Sequence, residues 1–307
     1  MPEGRRLLLD ANADIDRPSQ SSSGRAKKDA MTTIELEQTR AAWDTIATGY
    51  DRTNTPTQMW LANEGLRRAG VRSGMRFLDV AAGSGALSIP AARLGARVLA
   101  TDLSPVMLEL LSTRASKEGL SIATRVMDGH ALEVEDNAFD TAGSQFGVML
   151  FPDMPRGIRE MARVTKPGGR VLMIVYGAPA EIEFFGFFVH AIQVVVPTFT
   201  GPPMDPLPLP FQLQDPERLR QELATAGLKD VEVETIIEST TFQSGAELWD
   251  WLVHSNPIVG MVLDDLSLSE EQIGVVRQAL ERQIRERAGG SGPAALTNPV
   301  HIGIGTK

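Results

Sequence analysis

The chain has 307 residues, of which 42% are apolar and 22% charged, with a net charge of −9 and no cysteine. Disulfides, thiolate metal sites and cysteine nucleophiles are therefore excluded, and the acidic charge argues against nucleic acid or an anionic membrane as the main partner. No apolar run reaches transmembrane length, and the leucines at residues 7–9 are too few for a signal-peptide core. We expect a cytoplasmic protein without membrane insertion.

The first 70 residues divide into an extension and a pair of helices. Residues 1–30 contain a polar run from Ser19 to Lys28 (SQSSSGRAKK), which is typical of a disordered tail. Residues 31–70 predict N-terminal cap helices, one that ends near Gly49 and a second over residues 59–69 that ends at Gly70.

Residues 71–178 alternate short apolar runs with helical patterns. Strands are predicted at residues 76–80, 96–102, 122–127, 139–148 and 170–176. Strands that alternate with helices at this spacing indicate a parallel sheet covered by helices on both faces. This segment is therefore the predicted ligand-binding core of the protein.

After Gly177 the alternation ends. Residues 179–230 form a Phe-rich and Pro-rich cap insertion with a helix, and residues 231–307 predict two more strands, at 231–242 and 299–305. Between these strands lies a helical insertion at 244–290, with helices at 248–263 and 269–287. Two late strands without a helical crossover indicate an antiparallel member. We predict an α/β fold with a Rossmann-like, seven-stranded, mostly parallel sheet, an antiparallel last strand and helical cap insertions.

Three of the predicted strands end in an aspartate, and the first also leads into a glycine turn. Asp79, Asp102 and Asp128 end strands one, two and three, and Gly83 and Gly85 follow the first of them. Ligands of open parallel sheets lie across the carboxyl ends of the strands, where a carboxylate can accept two hydrogen bonds from a ribose diol. Carboxylates at strand ends are also common as helix caps. Three of them beside a Gly-x-Gly turn favour a nucleotide-like ligand.

The glycine turn departs from the dinucleotide-binding fingerprint, because the third glycine position is occupied by Ser88. The turn instead belongs to five blocks in a characteristic order and spacing. These blocks are Trp43-Asp44-x-x-Ala47-x-x-Tyr50-Asp51, Leu78-Asp79-Val80-Ala81-Ala82-Gly83-Ser84-Gly85, Ala100-Thr101-Asp102-Leu103-Ser104-Pro105-x-Met107-Leu108, Phe139-Asp140 and Arg163-Val164-x-Lys166-Pro167-Gly168-Gly169. Together they resemble class I S-adenosylmethionine-dependent methyltransferases of the ubiquinone/menaquinone-biosynthesis C-methyltransferase type, with a type 11 methyltransferase domain. The chain departs from that family at Ala81, where the family usually has glycine.

The resemblance implies S-adenosyl-L-methionine as the cofactor and assigns roles to residues of this chain. Asp79 and the backbone of residues 81–85 would hold the methionine part, and Asp102 the ribose hydroxyls. Residues 128–130 would flank the adenine amine, and residues 144–146 would face the sulfonium. The complete expected cofactor set is Tyr50, Asp79, Ala81, Gly83, Ser84, Gly85, Asp102, Leu103, Met107, Asp128, Gly129, His130, Ser144, Gln145 and Phe146.

The implied activity is an in-line methyl transfer (EC 2.1.1.-) to carbon or oxygen of an acceptor. A sulfonium methyl group is already activated, so alignment and exclusion of water matter most and a general base is optional. His190 and His254 are the candidate bases because they lie in the insertions, although a lone histidine is more often structural. Aromatic residues concentrate in the same insertions and predict an apolar or aromatic small-molecule acceptor. No metal is expected.

Other functions stay open. An NAD-dependent oxidoreductase is opposed by Ser88, and a nucleic-acid methyltransferase by the acidic charge and the absence of cysteine. The sequence does not exclude a non-catalytic protein that binds S-adenosylmethionine. The identity of the acceptor, the choice among C-, O- and N-methylation, and assembly into a homo-oligomer are likewise open.

Overall fold

The structure is a computed structural model, and it describes residues 33–307. The expected extension at residues 1–30 lies outside the described residues. Across the described part of the chain, no helix combines the length and apolar character that a membrane span requires.

One seven-stranded sheet organises the molecule. Its strands are β1 (Arg76–Val80), β2 (Arg97–Asp102), β3 (Ile122–Val126), β4 (Phe139–Gln145), β5 (Thr165–Tyr176), β6 (Lys229–Phe242) and β7 (Ala294–Thr306). They lie side by side in the order β3-β2-β1-β4-β5-β7-β6. β7 is antiparallel to both of its neighbours, whereas β1 to β5 pair in parallel. The predicted mixed sheet with an antiparallel last strand is confirmed.

Helices cover both faces of this sheet. They are α1 (Thr33–Arg68), α2 (Ser88–Arg93), α3 (Pro105–Lys117), α4 (Met154–Val164), α5 (Glu183–Gln193), α6 (Pro216–Thr225), α7 (Gly245–Ser255), α8 (Pro257–Leu266) and α9 (Glu270–Arg287). Gly65 of α1 lies against Ile174 of β5, and Leu219 of α6 lies against Gly303 of β7. Ile174 and Gly303 point to opposite faces of the sheet, because Gly303 pairs with the residue before Ile174.

The N-terminal segment corrects one prediction, since a single helix replaces the two expected ones. α1 continues through Gly49 and has Pro56 in its interior. Polar residues in the middle of α1 are buried and hydrogen-bonded: Thr55 hydrogen-bonds to Ser84 at 2.5 Å, and the Asn54 amide donates to the carbonyl of Trp251 at 3.3 Å. Tertiary contacts therefore hold this stretch helical despite its weak local propensity.

The C-terminal insertion corrects a second prediction. A single helix was expected at residues 248–263, but the chain forms α7 and α8, with Asn256 between them. The Asn256 side chain accepts a hydrogen bond from the Ile258 amide at 2.9 Å, and Pro257 occupies the first turn of α8. An N-cap followed by proline starts a new helix. The last strand is also longer than expected and begins at Ala294, because it pairs along the whole of β6.

Two separate apolar clusters stabilise the fold. The core cluster lies between the sheet and the flanking helices and includes Phe77 and Leu172. The second cluster, which we name the cap cluster, is formed by α5, α7 and α9 with the start of β7, and includes Trp249 and Trp251. The helices α5, α7, α8 and α9 are called the cap below.

Candidate functional site

A cavity of about 940 Å³, measured out to solvent, lies at the carboxyl ends of β1, β2 and β4. The strand order reverses between β1 and β4, which is where open α/β sheets bind ligands. α1 forms one wall of the cavity. Its lining residues are Leu36, Thr39, Trp43, Tyr50, Asp79, Ala81, Ala82, Gly83, Ala86, Leu87, Asp102, Leu103, Met107, Met127, Asp128, Gly129, His130, Gln145, Phe146, Gly147, Leu150, Phe151 and Pro152.

The floor of the cavity is bare backbone after β1. Ala81 has a φ of 56°, and Gly83 and Gly85 also have positive φ, so the chain turns sharply here. Gly147 approaches this turn closely, since a Cβ built on it would lie 2.5 Å from the Cβ of Ala81. The turn and the segment after β4 thus form a tight cradle with few side chains.

Asp79 is fully buried at the end of β1 and lines the cavity. Its Oδ2 accepts a hydrogen bond from the Ser88 hydroxyl at 2.5 Å, whereas its Oδ1 has no partner within the described residues. Burial, and secondarily the charge of Asp102, raises the pKa of Asp79 to about 7 against the opposing hydrogen bonds from Ser88. The orphaned oxygen is suited to a ligand donor such as an ammonium group.

Asp102 holds the turn in place. Its Oδ2 accepts from the Gly83 amide and its Oδ1 accepts from the Ser104 amide, both at 2.8 Å. Each oxygen keeps a lone pair for a further donor. Burial raises the pKa of Asp102 despite these hydrogen bonds. Ser104 in turn caps α3 and donates to Asp44 of α1, so α1 is tied to this end of the sheet.

Asp128 and His130 form the wall after β3. The Oδ1 of Asp128 accepts from the His130 amide at 2.9 Å and lies 2.7 Å from the ring Nδ1. Burial opposes ionisation here, but the hydrogen bonds from His130 prevail and lower the pKa of Asp128. The His130 ring lies 4.5 Å from the ring centre of Phe151, and its buried Nε2 has no partner in the described part of the chain. The two rings border a flat slot, and the Nε2 of His130 beside it is unpaired among the described residues.

The opposite end of the cavity is built by α1 and the end of β4. The Tyr50 hydroxyl donates to Oε1 of Gln58 at 3.1 Å, and the Gln145 amide donates to the carbonyl of Gln58 at 3.0 Å. The buried Oε1 of Gln145 is unpaired among the described residues. Phe146 has a φ of 56°, and its ring stacks on Tyr176 at 4.1 Å.

Most of the expected cofactor residues come together in this cavity. Twelve of the fifteen line it, and Ser84, Gly85 and Ser144 do not. Ser84 pairs with Thr55 of α1, Ser144 accepts from the Val148 amide at 3.0 Å, and Gly85 leaves space for Leu111. These three shape the turn and the segment after β4, while the roles of the other twelve toward a cofactor stay predictions.

The cavity also has lining residues that were not expected. Leu36 and Thr39 lie on the same face of α1 as Trp43 and Tyr50, at spacings of three, four and seven residues. This helical spacing in the sequence predicts that the site continues along α1. Phe151 and Pro152 follow β4 and had no comparable signal.

The two candidate bases are not brought to the cavity. His190 is exposed on α5. The Nδ1 of His254 lies 2.7 Å from the carbonyl of Asp250, and its ring packs on Gly49, where a Cβ would lie 1.9 Å from the ring. Neither histidine lines the cavity, so the geometry gives them packing and surface positions instead of a base's position.

Comparisons with known proteins match the part of the chain that contains most of this cavity. Residues 78–173 match the family model of a methyltransferase domain. A demethylmenaquinone methyltransferase of Clavibacter sepedonicus is 35% identical over 151 residues, which cover 46% of this chain and 59% of that protein. An uncharacterized protein of Mycobacterium tuberculosis is 39% identical over 133 residues, covering 43% of this chain and 47% of its own length. The chain therefore spans about half the length of the relatives it matches.

Solved structures share the fold. Phosphoethanolamine N-methyltransferase 2 of Haemonchus contortus, in complex with S-adenosyl-L-methionine, superposes with a TM-score of 0.50 at 20% identity, over 85% of this chain and 60% of that chain. A chain from the Haloferax volcanii complex with the Trm112 methyltransferase activator gives a TM-score of 0.52 at 19% identity, over 86% and 96% of the two chains. At these identities the likeness concerns the fold alone.

Proposed function

We propose that the chain is an S-adenosyl-L-methionine-dependent methyltransferase of class I that methylates a small molecule, because residues 78–173 match the type 11 methyltransferase domain. The acceptor is apolar or aromatic and takes the methyl group on carbon or oxygen. The observation that carries this proposal is the single cavity in which Asp79, Asp102 and Asp128 meet the glycine turn. The relatives named demethylmenaquinone methyltransferases support a small-molecule acceptor.

The residues present fit S-adenosyl-L-methionine. The unpaired Oδ1 of Asp79 suits its ammonium group, and the free lone pairs of Asp102 suit its ribose hydroxyls. The slot beside His130 suits its adenine, and the cradle between Ala81 and Gly147 admits its chain close to the backbone. When bound, this cofactor supplies a methyl group that is already activated by a positively charged sulfur.

The chain itself positions the reacting groups and excludes water from them. Tyr50, Gln145 and Phe146 line the end of the cavity that faces the cap, and they would exclude water from the reacting groups. Alignment of an acceptor against an activated methyl group lowers the barrier without a covalent intermediate on the protein. Neither His190 nor His254 is needed for this proposal.

The NAD-dependent alternative has less support. Ser88 stands at the third position of the dinucleotide fingerprint, and its buried hydroxyl is hydrogen-bonded to Asp79. In the dinucleotide fingerprint, the third glycine lets the helix pack closely against the strand. Here that position holds a side chain that hydrogen-bonds to the aspartate at the end of β1.

Binding of S-adenosylhomocysteine, measured by calorimetry, tests the proposal first. We expect saturable binding to the wild-type chain and an affinity at least ~10-fold lower for Asp102→Ala, because hydrogen bonds to charged groups contribute about 1.5–3 kcal/mol. Asp136→Ala is the control, since Asp136 is an exposed aspartate paired with Arg163. Absence of binding to the wild type would reject the proposal, and unchanged affinity in Asp102→Ala would reject its ribose role.

Turnover is the second step of the test. Transfer of labelled methyl from S-adenosyl-L-methionine to a panel of hydroxylated aromatic and quinol compounds separates an enzyme from a non-catalytic binding protein. Binding without transfer to any acceptor in the panel or in a small-molecule extract would favour the non-catalytic alternative.

A further inference from the structure

The two edges of the seven-stranded sheet differ in length and protection. β3 forms one edge and β6 the other. β3 has 5 residues, one of them Arg125, whereas β6 has 14. An exposed edge is a template for a further strand, and proteins usually keep such edges short or give them charges, prolines or bulges. β6 is therefore the edge that is long enough to pair with another strand.

The first half of β6 carries protective features that its second half lacks. Residues 229–234 contain four charged side chains, and their register with β7 is irregular. The carbonyl of Val231 also accepts a hydrogen bond from Arg220. Residues 235–242 (TIIESTTF) contain no proline, and their one charged residue, Glu238, is buried.

In this second half, the backbone groups of every other residue point away from the sheet. Pro299 of β7 pairs with Ile237, and the Pro299 carbonyl accepts from the Gly177 amide on the β5 side. Because a residue of an antiparallel strand directs its N–H and C=O to one side, the N–H and C=O of Ile237 point away from β7. The same holds for Val233, Thr235, Ser239 and Thr241. Among residues 33–307, no group hydrogen-bonds to the outward N–H and C=O groups of residues 235–241.

The side chains at these positions form an uncharged surface. Thr235, Ile237, Ser239 and Thr241 are all exposed, and Ile237 is 60% exposed. β-branched residues beside unpaired ladder groups favour pairing with another strand. Residues 235–241 are called the open edge below.

We infer that the open edge is a homodimer interface, at which β6 pairs antiparallel with β6 of a second copy around a two-fold axis at Ile237. In this register Ile237 faces its own counterpart, Thr235 faces Ser239, and Val233 faces Thr241. Each of these pairs would exchange both N–H···O bonds, so the outward groups of one copy satisfy those of the other. A two-fold axis closes the assembly at two copies and joins their sheets into one.

The charges of β6 favour this axis over its neighbours. With the axis at Ile237, Glu234 faces Thr240. Glu238 then faces Ile236, so no two glutamates lie opposite each other. With the axis one residue earlier, Glu234 would face Glu238, and one residue later Glu238 would face its own counterpart. Like charges directly opposite each other are destabilising, above all when they are buried.

The open edge is separate from the cavity. No residue of β6 lines it, so the inference does not depend on the proposed function. Variants of the open edge should therefore bind S-adenosylhomocysteine as the wild type does, which checks that they are folded.

Sedimentation equilibrium of the full chain tests the inference. We expect the wild type to associate to twice its mass of 33.3 kDa with a Kd below ~100 μM. Ile237→Lys should weaken association at least ~10-fold, because it places two like charges opposite each other. Ser239→Pro should weaken it by about 10-fold, because proline removes an outward donor from each copy and keeps the pairing with β7. Val126→Lys, at a half-exposed position on the β3 edge, is the control and should leave association unchanged.

Amide hydrogen exchange locates the interface. The amides of Ile237, Ser239 and Thr241 should exchange more slowly as the wild-type concentration rises through the Kd. The amide of Thr240 points toward β7, so it should be protected at every concentration.

Four results would overturn the inference. The first is a wild type that stays monomeric up to ~100 μM. The second is association that is unchanged in both Ile237→Lys and Ser239→Pro; if Ser239→Pro does not fold, Ile237→Lys alone decides. The third is slow exchange of the open-edge amides at every concentration, because another segment of the same chain would then cover β6. The fourth is equal weakening in Val126→Lys, which would mean that any added charge opposes association.

Discussion

At the scale of single residues, Asp79 lowers the stability of the fold at the site where we propose that a ligand binds. Its side chain is fully buried with one unpaired oxygen, and its pKa is raised to about 7, mainly by burial. The folded chain consequently holds a proton on Asp79 at pH values where the unfolded chain has released it.

The sign of the pH effect follows from this difference. When the folded state binds more protons than the unfolded state, the free energy of unfolding falls as pH rises. Asp79 therefore destabilises the fold increasingly from its unfolded pKa of 3.8 up to about pH 7, and its effect is constant above that. Replacement by a neutral isostere removes this penalty.

We predict that Asp79→Asn is more stable than the wild type at pH 8 by up to about 4 kcal/mol, and that the advantage shrinks toward pH 5. Urea unfolding of the wild type and of Asp79→Asn between pH 5 and 8 measures this difference in stability. The affinity of Asp79→Asn for S-adenosylhomocysteine should be lower than that of the wild type. The control has the opposite sign: the hydrogen bond from Lys166 lowers the pKa of Asp140, so Asp140→Asn should lose stability at neutral pH. A pH-independent difference for Asp79→Asn contradicts the prediction.

Ala81 is a non-glycine residue in the left-handed region, at the place where the chain departs from the family it resembles. A Cβ in this conformation costs about 1–2 kcal/mol, part of which the greater freedom of unfolded glycine offsets. We predict that Ala81→Gly raises the free energy of unfolding by about 1 kcal/mol and keeps cofactor affinity.

The same substitution in a helix is the control for Ala81. Ala92→Gly, in α2, should lower the free energy of unfolding by about 1 kcal/mol, because glycine is a poor helix former. Chemical denaturation of both variants tests whether their free energies of unfolding change in opposite directions. A loss of stability in Ala81→Gly would mean that its Cβ contact with the segment at Gly147 outweighs the backbone strain.

At the scale of elements, α1 is the part of the site that depends most on tertiary contacts. Asp44 accepts from Ser104, Asp51 pairs with Arg114 of α3 at 2.6 Å, and Thr55 hydrogen-bonds to Ser84 of the glycine turn. These three links join the helix to the far side of the cavity.

We predict that Arg114→Met loosens α1. The ion pair with Asp51 is about four-fifths buried on both sides, so its loss should cost roughly 1–2 kcal/mol, more than exposed pairs do. Amide hydrogen exchange should accelerate along α1, and affinity for S-adenosylhomocysteine should fall several-fold because Tyr50 lies on this helix. Arg52→Met, which removes a mostly exposed pair with Asp250, should change exchange little. Equal protection of α1 in both variants would rule out this role.

The elements also show what the sequence could and could not predict. Strands β1 and β5 follow from local patterns, because buried parallel strands are continuous apolar runs that end at turns. β3 lies at the edge of the sheet and is mostly exposed, so its prediction depended on the alternation of strands and helices. The continuity of α1 did not follow, because Gly49 and Pro56 predict a break, which contacts with α3, α7 and the glycine turn oppose. In the site, the strand-end aspartates were predictable from position alone. Gln58, which pairs with Tyr50 and Gln145, was not, since its burial depends on elements far away in the chain.

At the scale of the whole molecule, the two apolar clusters suggest separable tasks. The core cluster supports the strands that carry Asp79 and Asp102, and the cap cluster supports the helices that face the other end of the cavity. A substitution in the cap should therefore affect the acceptor end more than the cofactor end.

We predict that Trp251→Ala lowers the free energy of unfolding by about 3–5 kcal/mol, as large-to-small changes of buried aromatic residues do. Affinity for S-adenosylhomocysteine should stay close to the wild-type value, and binding of an acceptor identified from the panel of hydroxylated aromatic and quinol compounds should be lost. Trp60→Ala is the control, because Trp60 is 51% exposed. Parallel loss of both ligands in Trp251→Ala would show that the cap and the core act as one unit.

The charge of the cavity wall has a consequence for the end of a reaction cycle. The described lining contains Asp79, Asp102 and Asp128 but neither lysine nor arginine. Such a wall attracts a cation more strongly than a neutral molecule of the same shape. Under the proposed function, the methyl donor carries a positive sulfur before transfer and a neutral one after it, so we expect the wall to favour exchange of the spent cofactor for a fresh one. Product release is thereby promoted, and the ratio of the two affinities should decrease as salt screens the carboxylates.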